Sequence, residues 1–271
     1  MRLARWALLL WMVPLSAPGQ GRVMKPSAPS TVEVVRPVGS AGVNWEGQVL
    51  RATGAGAPDL KAANPAQARL GAERAAKQDA SRNLLEQVRG LHVSAGRSVG
   101  EEMARDEVRG RVETAVSGYK VVAKRFFSDS GVEVDVEVPL AAITSALVTP
   151  APDAPIVFNA EGARRYTGLV VDARGLGLKP VLAPRLLDAA GKALYGASAL
   201  SSEIRESTGV AAWFSNLETA KKSALVGEKP MVVKARSVKG SDLVLSAEDA
   251  KLLGEVNTRF LSEGRVVIVA Q

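Results

Sequence analysis

At 271 residues and 46% apolar composition, the chain has room for one large or two ordinary domains and enough hydrophobic material to pack them, which excludes a disordered polymer. It has no cysteine and His92 is its sole histidine, so disulfides, thiolate metal centres, cysteine nucleophiles, lipid attachment through cysteine and histidine-pair metal sites are excluded together. The formal charge of +7 is spread thinly, with 19 basic against 15 acidic groups in residues 1–150 and 16 against 13 in 151–271, and no dense basic block marks a nucleic-acid surface.

The first stretch, MRLARWALLLWMVPLSAPGQ, places Arg2 and Arg5 before an apolar run from Trp6 to Leu15 and then small residues. This order predicts a signal peptide over 1–19, with Ala17 and Gly19 positioned for cleavage before Gln20, and the apolar run is too short to span a bilayer. Export to the periplasm or the outer membrane is therefore expected. Residues 20–42 mix Pro, Ser and Gly with isolated valines and read as a flexible tether.

A first domain is expected over 43–149. VNWEGQVLRATGAG supplies a strand ending at Gly54 or Gly56, and Asn64 with Pro65 opens a long helix as N-cap and first helical residue. Gly90 is expected to end it in a left-handed cap. On a helical wheel Ala68, Ala72, Ala75, Ala76 and Ala80 share a face with Asp79 and Asn83, which predicts close packing on a sheet and a hydrogen-bonded role for the Asp79 carboxylate. The charges along the helix form i,i+4 pairs, Arg69 with Glu73, Glu73 with Lys77 and Arg82 with Glu86, which speaks for a solvated face rather than a basic ligand surface.

LHVSAG then predicts a short strand and VGEEMARDEVRGRVETAVSG a second helix. A hairpin follows in YKVVAKRFFSDSGVEVDVEVPL, where Val132, Val134, Val136 and Val138 alternate with Glu133, Asp135 and Glu137, one face core and one acidic. With the turn at Ser128–Gly131, Lys124 is expected opposite Asp135 and Val122 opposite Glu137, making the acidic row a charge-matched sheet face.

Pro-rich TPAPDAP marks a linker over 150–155, and residues 156–271 form a second domain of α/β or α+β type. Strands are expected in RYTGLVVDARG and KPVLAPRLLDAAGKALYG, the latter with DAAGK as a hairpin tip, then a helix over 216–226, strands in KPMVVKARSVKG and SDLVLS, one helix in SAEDAKLLGEVNTRFLSEG capped by Ser246, and a closing strand RVVIVA. The fold class is thus α+β: a small antiparallel sheet packed by an Ala-rich helix, followed by the second domain.

Motifs for chemistry are sparse. GAGAPD at 54–59 and GLGLKP at 175–180 each lack the third glycine of a dinucleotide fingerprint and read as turns. Ser117 and Lys120 match the Ser-x-x-Lys spacing of acylating enzymes but precede a strand instead of opening a helix. His92 reads as an ordinary strand residue, and Glu101/Glu102 and Asp106/Glu107 are adjacent pairs that a helix points about 100° apart. No catalytic, cofactor-binding or metal-binding residue is assigned; Asp79, Asn83, Ala72, Ala76, Ala80, Gly90 and Gly131 are expected to be structural.

The helix NPAQARLGAERAAKQDASRNLLEQVRGLHV, followed by DEVRGRVETAVSGYKVVAKRFFSDSGVEVDVEVPL, resembles the LPP-twenty family of bacterial envelope lipoproteins and the related N-terminal domain of flagellar assembly protein T. The resemblance covers Val43 to Leu140. It implies an exported, membrane-associated role without catalytic residues, and envelope or flagellar basal-body proteins as partners. The chain departs from the lipoproteins in having no cysteine to carry a lipid. The segment from Tyr166 onward is similar to one that accompanies this domain in other exported bacterial proteins. Two classes follow: a non-enzymatic structural or adaptor protein of envelope or flagellar assembly, or a module that binds or modifies an anionic cell-wall polymer.

Overall fold

A computed structural model describes residues 42–148, 156, 158–162 and 165–270. The expected signal peptide, the tether apart from Gly42 and the linker over 150–155 lie outside the described residues. The fold is α+β, and the described residues form one compact unit that carries two main sheets.

The first half runs β1 (Gly42–Asn44), β2 (Val49–Gly56), α1 (Pro65–Gly90), β3 (His92–Ser94), β4 (Arg97–Ser98), α2 (Val99–Glu102), α3 (Asp106–Ser117), β5 (Lys120–Phe126), β6 (Val132–Pro139) and α4 (Leu140–Leu147). Its four-stranded antiparallel sheet has the order β1-β2-β6-β5. Asn64 caps α1 by accepting from the Gln67 N–H, and Pro65 at the first position loses no intrahelical bond. The buried residues of α1 are Ala68, Ala72, Ala76, Ala80, Leu84 and Val88, one every four residues. Such a stripe advances about 40° per step around the helix. Its alanine half lies on β2, while Leu84 and Val88 join the apolar cluster that holds Val99, Met103, Val108 and Val112. Each of these two side chains contributes about 1.5–3 kcal/mol by leaving water.

Close approach on the alanine half requires glycine on the strand. A Cβ at Gly54 would lie 2.3 Å from the Ala76 carbonyl oxygen, and one at Gly56 would lie 2.0 Å from that of Ala72. β2 ends at Gly56, as the strand reading of VNWEGQVLRATGAG expected, and the GAGAPD glycines, also read as a turn motif, lie within the strand because only they let α1 reach the sheet.

Three other expectations change. Gly90 is the last helical residue rather than a left-handed cap; Leu91 ends α1 in extended backbone (φ −70°, ψ 150°), drawn into the core as a buried side chain. The second helix is two helices, because five residues separate Met103 from Val108, which would turn Val108 about 140° off the buried face of an unbroken helix. The break at Met103–Arg105 brings Val99 and Met103 into one core with Val108, Val112 and Val116. In the hairpin the left-handed residue is Ser130 (φ 71°), and Gly131 donates its N–H to Asp129 Oδ1. An irregularity between Val121 and Ala123 shifts the register, so Lys120 opposes Glu137, Ala123 opposes Asp135 and Lys124 opposes Val134. Lys124 accordingly leaves the acidic row and bonds Glu73 of α1.

The second half runs β7 (Gly168–Asp172), β8 (Leu186–Leu187), β9 (Ala193–Tyr195), α5 (Ser202–Thr208), β10 (Ala212–Phe214), α6 (Leu217–Lys221), β11 (Pro230–Lys239), β12 (Asp242–Leu245), α7 (Ala247–Glu255), α8 (Arg259–Ser262) and β13 (Val266–Val269). The seven-stranded mixed sheet has the order β10-β13-β7-β11-β12-β8-β9, with β10, β13, β7 and β11 mutually parallel. Parallel strands are covered on both faces, and β13 (VVIV) is buried at every position. Ser246 caps α7 through the Asp249 N–H. The single helix expected after it is broken at Val256–Thr258, where Asn159 exchanges hydrogen bonds with Thr258. That pairing ends α7 and lets α8 insert Phe260 and Leu261 into the core.

Candidate functional site

The expected structural residues on α1 converge on one strand edge. β1 pairs only with Val49–Arg51 of β2, so the same edge of β2 continues past its end. There Asp79 Oδ2 accepts from the Ala55 N–H at 3.1 Å, and Asn83 Nδ2 donates to the Thr53 carbonyl at 2.9 Å and to Asp79 Oδ2 at 3.4 Å. Two helix side chains thus stand in for a missing strand, satisfying backbone groups that an open edge would present. Asp79 is half-buried rather than deeply buried, so removing one such bond is modest in cost: Asp79→Ala is expected to lower stability by about 1 kcal/mol in a urea titration. Ala75 and Leu70 point to solvent, and Arg82 stands 3.9 Å from Asp79 rather than pairing with Glu86. Arg69 lies over the Phe126 ring at 5.5 Å.

The face of the four-stranded sheet opposite α1 carries an ordered ion-pair ladder. Arg51 Nε donates to Glu137 at 2.7 Å, Arg125 Nε donates to Glu133 at 2.9 Å, and the two Nη groups of Arg125 grip Asp135 at 2.6 and 2.8 Å. Thr53 Oγ1 donates to the same carboxylate at 2.7 Å. These bonds hold the Asp135 carboxyl below its usual pKa and raise that of Arg125 further. On the other side of the sheet, Lys124 and Lys77 bring Glu73 down to about 2. Every acid of the alternating row is matched to a cation, so the row has no spare carboxylate for a metal. Among the described residues no group of three or more His, Cys, Asp or Glu side chains is placed to hold a metal ion. Ser117 ends α3, where its hydroxyl donates to the Glu113 carbonyl, and His92 lies exposed on β3.

The same sheet presents apolar surface at its outer strand. β5 is the edge strand, and Val122, Phe126 and Phe127 on or just after it are 36%, 52% and 49% exposed.

A cleft with a cavity volume of about 630 Å³ opens where the two sheets approach. Its walls come from β1 and the turn after it, including Trp45 and Glu46, from Arg51 on β2, and from Phe214 and Ser215 at the carboxyl end of β10. Carboxyl ends of parallel strands are the customary place for ligands in such sheets. The Trp213 N–H donates to the Trp45 carbonyl at 3.4 Å, while the Trp213 indole N–H donates to the Val181 carbonyl at 2.9 Å. Glu46 Oε1 accepts from the Ser215 N–H and hydroxyl at 3.4 and 3.3 Å. None of these residues was singled out by motif. Trp45 and Trp213 are the only tryptophans after residue 20, and that rarity was the one available signal.

Residues 168–271, less than half of the chain, match the family model described as Treponema pallidum Tp0624, second domain. The match starts at β7 and takes in the strands of the seven-stranded sheet. No curated protein matches the chain.

Proposed function

We propose that this protein is an exported, envelope-associated adaptor that acts by binding other proteins rather than by catalysis, in the manner of the LPP-twenty and flagellar assembly T domains that its first half resembles. The observation that carries the reading is the apolar outer edge of the four-stranded sheet. A monomeric protein normally blunts such an edge with charge or covers it; here Lys120, Lys124 and Arg125 line β5 and Arg69 lies over the Phe126 ring, yet Val122, Phe126 and Phe127 still keep a third to a half of their surface in solvent. Exposed aromatic side chains at a strand edge are the type of anchor that dominates protein interfaces. The sequence of residues 1–19 supports an exported location, and the absence of cysteine rules out lipid attachment through cysteine.

The test is site-specific photo-crosslinking in the native cell, with a photoreactive phenylalanine at position 126 or 127 and a control at exposed Ala75 of α1. Positions 126 and 127 are expected to capture envelope or flagellar basal-body proteins from the exported fraction, and Phe126→Ser with Phe127→Ser is expected to lose them at unchanged thermal stability. Recovery of the protein in the cytoplasmic fraction, or equal capture at position 75, would sink the reading.

A further inference from the structure

We infer that the cleft beside Trp45 is a binding site for a neutral saccharide. This goes beyond the adaptor reading and does not depend on it, since the cleft and the β5 edge are separate surfaces.

Its cavity volume of about 630 Å³ falls within the usual range for small-ligand pockets, roughly 300–1,000 Å³. The walls combine half-buried Trp45 and Pro180 and buried Phe214 with a few polar groups of different kinds. Aromatic faces suit the C–H face of a sugar ring, and mixed donors and acceptors suit its hydroxyls, each of which both gives and takes a hydrogen bond.

The polar inventory is of that mixed kind. Glu46 is a pure acceptor with one oxygen engaged only through long contacts to Ser215, and its other oxygen has no partner among the described residues. Asn44 uses Oδ1 to accept from the Gly47 N–H, which leaves its amide N–H groups to donate. Arg51 commits Nε to Glu137, leaving its other N–H groups as donors.

Charge excludes the anionic alternative. Glu46 and Arg51 are the charged lining residues, and Arg51 is matched to Glu137, so no net positive charge remains to select a phosphate or carboxylate. A peptide strand is disfavoured for a different reason. Adding a strand to β10 needs free N–H groups on its outer edge, whereas the Trp213 N–H is taken by the Trp45 carbonyl and the Ser215 N–H by Glu46.

The experiment is a titration of the mature chain, beginning at Gln20, with an N-acetylglucosamine tetramer and separately with maltotetraose, so that an N-acetylated cell-wall-type glycan and a plain glucan are distinguished. Tryptophan fluorescence reads affinity, and the indole N–H resonances of the isotope-labelled protein locate the contact. At least one probe is expected to bind saturably with a shift at Trp45. Trp45→Ala is expected to weaken it by about tenfold or more, and Glu46→Gln by several-fold with an unchanged melting temperature. Because Trp45 also packs against both apolar clusters, Trp45→Phe serves as the variant that keeps packing, and partial recovery of affinity is expected there. Failure of both saccharides to saturate, shifts confined to residues outside the cleft, or equal binding of an uncharged extended decapeptide with the same loss in Glu46→Gln would each overturn the assignment. A negative saccharide result leaves crosslinking at Phe126 unaffected, so the two readings fail separately.

Discussion

Gly56→Ala is expected to destabilise the protein by about 3 kcal/mol, while Gly110→Ala stabilises it by about 0.5–1 kcal/mol. Both changes add one methyl group and both remove the same backbone freedom from the unfolded chain, a gain of at most about 1 kcal/mol. The difference lies in what the methyl meets. At Gly56 the new Cβ would sit 2.0 Å from the Ala72 carbonyl oxygen and 2.7 Å from the Ala76 nitrogen, both of them helix backbone with no rotamer to change. Relief requires α1 as a whole to lift from β2, which also loosens the Asp79 and Asn83 bonds to the strand edge and the burial of Leu84 and Val88. Gly54→Ala meets the same obstacle one turn along, 2.1 Å from the Ala80 nitrogen. Gly110 is exposed in the middle of α3 with nothing within 4 Å of its added Cβ, so the helix-propensity gain stands alone. Urea denaturation followed by circular dichroism measures all three. A Gly56→Ala variant within about 0.5 kcal/mol of the parent would mean that α1 is not held by close backbone contact.

These glycines show which parts of the fold the sequence makes legible. The start of α1 was readable because Asn64-Pro65 is a local signal, and the core face of β6 because valine recurs at every second position. Gly54 and Gly56 look the same in a turn as in a strand; only the helix packed above them decides, and that helix begins nine residues after Gly56. The irregularity in β5 is hidden because Val121, Val122 and Ala123 are all small and apolar, so no residue marks where the register slips. Short elements escaped for a related reason. β10 is three buried residues with no alternation to reveal them, since a strand among parallel neighbours has no wet face, and α4 (LAAITSAL) is an eight-residue apolar run that reads equally as strand. The cleft is the extreme case: Trp45–Glu46 and Trp213–Ser215 are separated by most of the chain, and no pattern along it brings them together. Composition alone held the clue, in the two tryptophans kept after residue 20.

Removing Arg125 is expected to cost more than neutralising Asp135, and the two variants are expected to respond to acid in the same direction for different reasons. Asp135 is 6% exposed while the Arg125 side chain keeps 44% of its surface in solvent, so the carboxylate depends on the guanidinium more than the reverse. Asp135→Asn keeps the volume and a contact for Thr53, returns Arg125 to water and Glu133, and is expected to lose about 2 kcal/mol at neutral pH. Arg125→Met leaves a buried carboxylate with only Thr53, and is expected to lose about 3–4 kcal/mol. The parent protein holds the Asp135 pKa below its unfolded value near 3.9, through the Arg125 hydrogen bonds first. Its contribution is therefore complete above about pH 4 and is lost as pH falls through the folded-state value. Lowering the pH from 7 to 3 should bring the parent down toward Asp135→Asn, narrowing their gap, because the asparagine variant has no carboxyl there to protonate. In Arg125→Met the Asp135 pKa rises instead, so acid relieves the unpaired charge and this variant also closes on the parent. Urea titrations at pH 7 and pH 3 decide it. Gaps that stay constant between the two pH values would show that the Arg125–Asp135 pair is an exposed surface bridge, and that the open face of the sheet is held by packing rather than by charge.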